Sequence, residues 1–146
     1  MIIAGDGDIE NWKNLAIDHN ISELVEFRGW INGNEKIYLY LGCTIFCLPS
    51  HFESFGISAL EAMHARKPLI CTNLGGFTDL ITHGENGFLV PPKSPYELAK
   101  CIKILIQDPD LALKMGECGF KKATKYFTTE KNMKKTIECY NRVLFK

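Results

Sequence analysis

Two glutamates eight residues apart, Glu53 and Glu61, bracket the residues of this chain whose types and spacing are best suited to chemistry. They lie in Pro49-Ser50-His51-Phe52-Glu53-Ser54-Phe55-Gly56-Ile57-Ser58-Ala59-Leu60-Glu61, where a loop runs into a helix expected over about 56–66. The first turn of a helix exposes backbone N–H groups that have no intrahelical acceptor, and the macrodipole adds partial positive charge there. Gly56 lets a ligand approach that backbone without a Cβ in the way, so the loop suits an anion such as a pyrophosphate. Glu61 falls at the edge of the helix's inward face, where a carboxylate needs donors. The vicinal hydroxyls of a ribose would supply two. Glu53, on the loop, would reach a sugar beyond the phosphates. On spacing alone, a helix-capping acid and a surface acid fit the same pair equally well.

The elements that must position these residues can be read from apolar runs and turn residues. Ile2–Ala4 reads as a strand that turns at Gly5-Asp6-Gly7, and residues 9–18 carry Ile9, Trp12, Leu15 and Ala16 at helical spacing. Val25-Glu26-Phe27 is a second short strand, and residues 34–42 a helix. Thr44-Ile45-Phe46-Cys47-Leu48 is a continuous apolar run ended by Pro49, the pattern of a strand covered on both faces. Pro68–Thr72 and Phe88–Val90 are further strands, with a turn at Gly75-Gly76 and a short helix near 77–82 between them. Residues 95–145 read as helical, with breaks near Pro109 and Phe127-Thr128. Strands separated by helices imply an α/β fold: a Rossmann-like, doubly wound parallel sheet with C-terminal helices, in one domain over residues 1–146. Ligands of such sheets bind beyond the carboxyl ends of the strands, here the loops at 5–8, 28–34, 49–56 and 73–77.

Composition narrows the class. The chain has 146 residues, 46% hydrophobic and 23% charged, as expected of a globular domain. No apolar run approaches the roughly 20 residues needed to cross a bilayer. The six cysteines (43, 47, 71, 101, 118 and 139) contain no C-x-x-C pair and several sit in apolar runs, so reduced thiols in a cytoplasmic protein are expected. The histidines are dispersed, and no metal site is readable. Charge is balanced overall but uneven: residues 1–113 hold 8 basic and 14 acidic side chains, residues 114–146 hold 9 and 3. That basic segment reads first as solvated helix faces. A basic helical face towards anionic lipid, as a peripheral membrane contact, or towards another domain is the second reading. Nucleic-acid binding is disfavoured because no aromatics interleave the basic residues.

Proline-serine followed by Glu53-Ser54-Phe55-Gly56 and Leu60-Glu61-Ala62-Met63 resembles the E-x7-E motif of the retaining glycosyltransferases of family 4, the glycosyl transferases group 1. The resemblance continues through Lys67-Pro68-Leu69-Ile70, Gly75-Gly76, Asn86-Gly87-Phe88-Leu89-Val90-Pro91 and Glu97-Leu98-Ala99, and upstream through Gly5-Asp6-Gly7 and Val25-Glu26-Phe27-Arg28-Gly29. It implies the C-terminal, donor-binding half of a GT-B enzyme that transfers a hexose from a UDP-, GDP- or ADP-sugar to a glycan or lipid-linked acceptor, without a cofactor or bound metal. Carried onto this sequence, Glu61 would accept from the ribose hydroxyls. The N–H groups of Phe55, Gly56 and Ile57 would face the donor sugar and diphosphate, and Glu53 would place the sugar. Phe27 and Arg28 would lie against the base, and Gly5 would line the nucleotide pocket.

The sequence departs from the family pattern in three ways. The family's C-terminal domain usually begins one βα unit earlier, with an arginine and a lysine that clamp the diphosphate, so a chain of this extent would bind donor without transferring it. The N-terminal acceptor domain would likewise be missing. Arg66 stands where the family has a glycine after the helix, and Asp79 where it favours glutamate. A non-catalytic partner module and a GT-B epimerase or phosphorylase are the alternative readings.

Overall fold

The computed structural model describes residues 1–144. The chain folds as two compact units, divided between Leu39 and Tyr40. In the first, β1 (Ile2–Ala4) is followed by α1 (Ile9–Asp18), a 3₁₀ turn (Ser22–Leu24) and β2 (Glu26–Gly29), and α2 (Gly33–Gly42) then crosses the division. β1 and β2 pair in parallel, with Ile2 opposite Glu26, Ile3 opposite Phe27, and a register shift before Ala4. The Asp8 carboxylate caps α1 by accepting from the Asn11 N–H at 3.2 Å. Of the apolar positions expected on α1, only Ala16 is buried, while Trp12 and Leu15 are 52% and 46% exposed. Two strands of three and four residues offer little surface for a helix to cover.

The second unit holds β3 (Phe46–Leu48), α3 (Ile57–His64), β4 (Leu69–Thr72), α4 (Phe77–Leu80), β5 (Gly87–Val90), α5 (Pro95–Gln107), α6 (Pro109–Tyr126) and α7 (Thr129–Leu144). Position 145, the last of the expected helical stretch, lies outside the described residues. β3, β4 and β5 form a parallel sheet in that order, with Phe46 opposite Leu69 and Leu69 opposite Gly87. Within each unit the strands pair in parallel, as their alternation with helices implies, and their hydrogen bonds form two sheets, β1-β2 and β3-β4-β5.

β4 is central to its sheet and wholly buried. Leu69 and Cys71 join Ala59, Ala62, Met63, Phe77 and Leu80 in one apolar cluster, and Ile70 joins Val90, Cys101, Leu105 and Met115 in another. Successive strand residues therefore bury into different clusters, which is why an uninterrupted apolar run was needed. Full burial of a leucine or isoleucine contributes about 1.5–3 kcal/mol each. Asn86, a buried polar residue, is satisfied: its Oδ1 accepts from the Thr82 N–H at 2.7 Å and its amide donates to the Leu80 carbonyl at 3.0 Å.

The expected breaks fall where anticipated. Pro109 opens α6 at a position where no N–H is needed, and Asp108 caps it by accepting from the Leu111 N–H at 2.9 Å. α7 follows Phe127-Thr128 and buries no residue, and its Met133, Ile137, Tyr140 and Leu144 are exposed. The cysteines are free thiols; Cys71 and Cys101 are buried, and Cys139 is exposed. Burial pushes the Cys47 thiol up to about 11.

Arg66 answers the missing glycine directly. It adopts the left-handed conformation itself, φ 58, at the turn between α3 and β4. That conformation costs a side chain about 1 kcal/mol or more. Its guanidinium lies 3.8 Å from the Phe120 ring centre and its Nε 2.6 Å from Glu117, both on α6. Beside it, α6 passes so closely that a Cβ on Gly116 would sit 2.1 Å from the Arg66 carbonyl oxygen. Gly116→Ala is therefore expected to lower stability by about 1–3 kcal/mol despite alanine's better helix propensity. Urea unfolding measures this, and an unchanged or raised midpoint would contradict the packing described.

Candidate functional site

The strand-to-helix loop after β3 is braced on every side. The Thr72 hydroxyl, at the end of β4, donates to the Ser50 carbonyl at 2.7 Å. The Gly75-Gly76 turn lies against residues 53–55: a Cβ on Gly75 would stand 1.9 Å from the Glu53 carbonyl oxygen, and one on Gly76 2.3 Å from the Phe55 Cα. The Phe55 ring meets Phe127 at 6.0 Å, edge on, at the end of α6. Gly56 is buried and left-handed, φ 95, with room only for hydrogen against the Phe77 ring. Glycine is required there twice over, by torsion and by contact.

Gly56 is the residue before α3, which starts at Ile57. The first intrahelical bond runs from the Leu60 N–H to the Gly56 carbonyl. Ile57, Ser58 and Ala59 thus occupy the helical positions whose N–H groups have no acceptor within the helix. The N–H groups of Phe55 and Gly56 are differently placed. Both donate to Glu53 Oε1, at 3.3 and 3.0 Å, so the loop's acid folds back over its own amides. The sequence led us to expect these two amides to be open to a ligand; here an incoming oxygen would compete with the carboxylate for them. Both bonds use one carboxylate oxygen, and Oε2 keeps its acceptor capacity.

Glu61 lies on α3, half-buried, and accepts from the Tyr40 hydroxyl at 2.8 Å through Oε2. Burial, and then Glu61, hold the Tyr40 hydroxyl well above the usual tyrosine range, so it stays a donor. Tyr40 was not among the residues singled out from sequence. It lies 21 residues away on α2, a separation no local pattern signals.

The remaining expected residues lie in the first unit. The Gly5 N–H donates to the Gly29 carbonyl at 2.7 Å, joining the turn after β1 to the end of β2. Phe27 is half-buried on β2. Arg28 is exposed and paired with two acids, its Nε 2.6 Å from Glu26 and its Nη1 3.4 Å from Glu35. The hydrogen bond with Glu26 is the main reason its proton is held even more firmly than usual. The eight residues therefore form two groups: Gly5, Phe27 and Arg28 in one unit, Glu53, Phe55, Gly56, Ile57 and Glu61 in the other. Among the described residues, no three His, Cys, Asp or Glu side chains gather as a metal site, and no helix is long and apolar enough to cross a membrane.

Parallel strands handing over to helices, with acids and helix-opening amides at one such junction, define a Rossmann-like class of ligand-binding domain. Comparison with known proteins makes this specific. The glycosyl transferases group 1 family matches residues 1–122, and the chain belongs to that family. An uncharacterized glycosyltransferase of Methanocaldococcus jannaschii is 35% identical over 109 residues, covering 74% of this chain and 28% of its own length. The C-terminal domain of a group 1 glycosyl transferase from Francisella tularensis superposes with a TM-score of 0.76 at 30% identity, over 83% of this chain and 63% of that one. HepE of Anabaena, solved with UDP-glucose, superposes with a TM-score of 0.87 at 26% identity, over 97% of this chain and 40% of its own. These likenesses show the GT-B fold. The chain spans about a third of the length of the curated relatives it matches.

The bracing makes a direct prediction. Gly75→Ala needs both a strained φ, +50, and space already held by the Glu53 carbonyl, so it should displace the loop. We expect a loss of about 1–3 kcal/mol in stability, with large amide chemical-shift changes at Phe55 and Gly56. Unchanged shifts there would mean that the turn does not hold the loop.

Proposed function

We propose that this region binds the nucleotide-sugar donor of a retaining hexosyltransferase. The observation that carries the reading is the joining of Glu53, the α3 N-terminus and Glu61 in one braced loop-and-helix unit of a group 1 glycosyl transferase. In this reading Glu61 accepts from the ribose hydroxyls. Helix-opening amides at Ile57 and beyond meet the diphosphate and sugar, and Glu53 accepts from sugar hydroxyls. The structure of HepE with UDP-glucose makes a UDP-hexose the first donor to test.

Transfer would proceed on one face of the sugar. The acceptor hydroxyl, from a glycan or a lipid-linked glycan, forms the new bond to the anomeric carbon on the side where the bond to the diphosphate breaks. The hydroxyl's proton passes to a phosphate oxygen of the leaving group. Backbone donors stabilise the negative charge that develops there, which is the largest contribution a protein makes in sites of this kind. The reading requires no divalent cation. It places the enzyme in the cytoplasm, with peripheral membrane contact where the acceptor is lipid-linked.

Binding is the direct test. UDP, GDP and ADP are titrated against the chain by calorimetry and by thermal melting. One of them should bind and raise the melting temperature, since a ligand at 100 times its Kd stabilises by about 2.7 kcal/mol. Glu61→Ala should weaken that nucleotide about ten- to a hundredfold, the loss of charge-assisted hydrogen bonds. EDTA should change nothing. No response to any of the three at millimolar concentration, or full affinity in Glu61→Ala, would overturn the reading.

A further inference from the structure

We infer that Tyr40 is a positioning residue for Glu61, aiming its carboxylate so that it grips both vicinal hydroxyls of a ribose; the inference rests on the assignment of Glu61 proposed above. The bond from the Tyr40 hydroxyl to Oε2, at 2.8 Å, is the first observation. A glutamate's terminal torsion is broad, so an unrestrained carboxylate plane turns freely, whereas a bond to one oxygen sets that plane.

Tyr40 is itself held. Its ring packs against Phe46 of β3, with centroids 5.5 Å apart and planes at 49°. Its carbonyl accepts from the Cys43 thiol at 3.4 Å, and the Lys67 ammonium caps the end of α2 by donating to the Leu41 carbonyl at 2.7 Å. The sheet and helix end that fix the ring therefore fix the direction of its O–H.

The chemistry of the donor matters as much as its place. Tyrosine is neutral, so it orients the carboxylate while leaving it the charge that makes it a strong acceptor for sugar hydroxyls. Each carboxylate oxygen has two lone-pair directions, and Oε2 can accept from Tyr40 and from a hydroxyl together. Removing the phenolic oxygen should loosen the grip on the ribose and leave phosphate and base contacts intact.

Tyr40→Phe keeps the ring that packs on Phe46 and deletes only the donor. We would measure calorimetric affinities for UDP and 2′-deoxy-UDP, and for GDP and 2′-deoxy-GDP, with the native chain and with Tyr40→Phe, Glu61→Ala and the double variant. The native chain should prefer the ribonucleotide. Tyr40→Phe should weaken ribonucleotide binding about five- to tenfold, hardly affect the deoxynucleotide, and have no further effect in the Glu61→Ala background. A native chain that binds ribo- and deoxynucleotide alike defeats the ribose assignment of Glu61 and this inference with it. A native preference that survives unchanged in Tyr40→Phe, or an equal loss for both nucleotides, defeats the positioning role while leaving the assignment standing.

Discussion

Two stretches of main chain touch where the Gly75-Gly76 turn meets residues 53–55, and neither glycine could carry a side chain there. The other features of the site depend on this contact. It sets the height of the loop above the end of β4, where Thr72 also holds Ser50. At that height Glu53 can turn its carboxylate onto the amides of Phe55 and Gly56, and Gly56 can take the left-handed step that starts α3 at Ile57. Starting α3 there puts Glu61 in its second turn, opposite Tyr40. The eight-residue spacing of the two acids is thus one loop of fixed shape plus one helix of fixed start.

Much of this order was legible in the chain itself. Strands β3 to β5 were visible because each is an apolar run closed by proline, glycine or a polar turn, and a buried parallel strand leaves no other trace. Ala59, Ala62 and Met63 on α3 repeat at helical spacing, and all three are fully buried. The junction at Glu53–Glu61 stood out as a combination of glycine, acid and helix start. What escaped notice has no periodic signature. Tyr40, near the end of α2, meets Glu61 of α3 across 21 residues of chain, and Asn86 finds its partners four and six residues back, through a turn whose path no periodicity encodes. The fold-back of Glu53 escaped for another reason. An acid beside free amides can serve a ligand or the loop, and only coordinates decide between the two.

Arg66 illustrates how a local rule can be broken and offset. Glycine is the usual residue at a left-handed position after a helix because it avoids a steric cost. Arginine adopts the same torsion here, and its long side chain gains an aromatic face and an acid on the neighbouring helix. Both gains are modest, since the pair is about half exposed and the water around it screens the attraction. The stem and the guanidinium plane cover Phe120 as well, so part of the compensation is contact rather than charge. A glycine would have left the face of that ring beneath the guanidinium uncovered.

The self-directed carboxylate of Glu53 has one more consequence. Amides that wait empty for an anion must be hydrated or strained, and a loop holding them tends to relax into some other shape. Here the loop's own carboxylate occupies those donors, so the amides of Phe55 and Gly56 are held in line by bonds within the chain. The shape of the loop therefore depends on no outside acceptor.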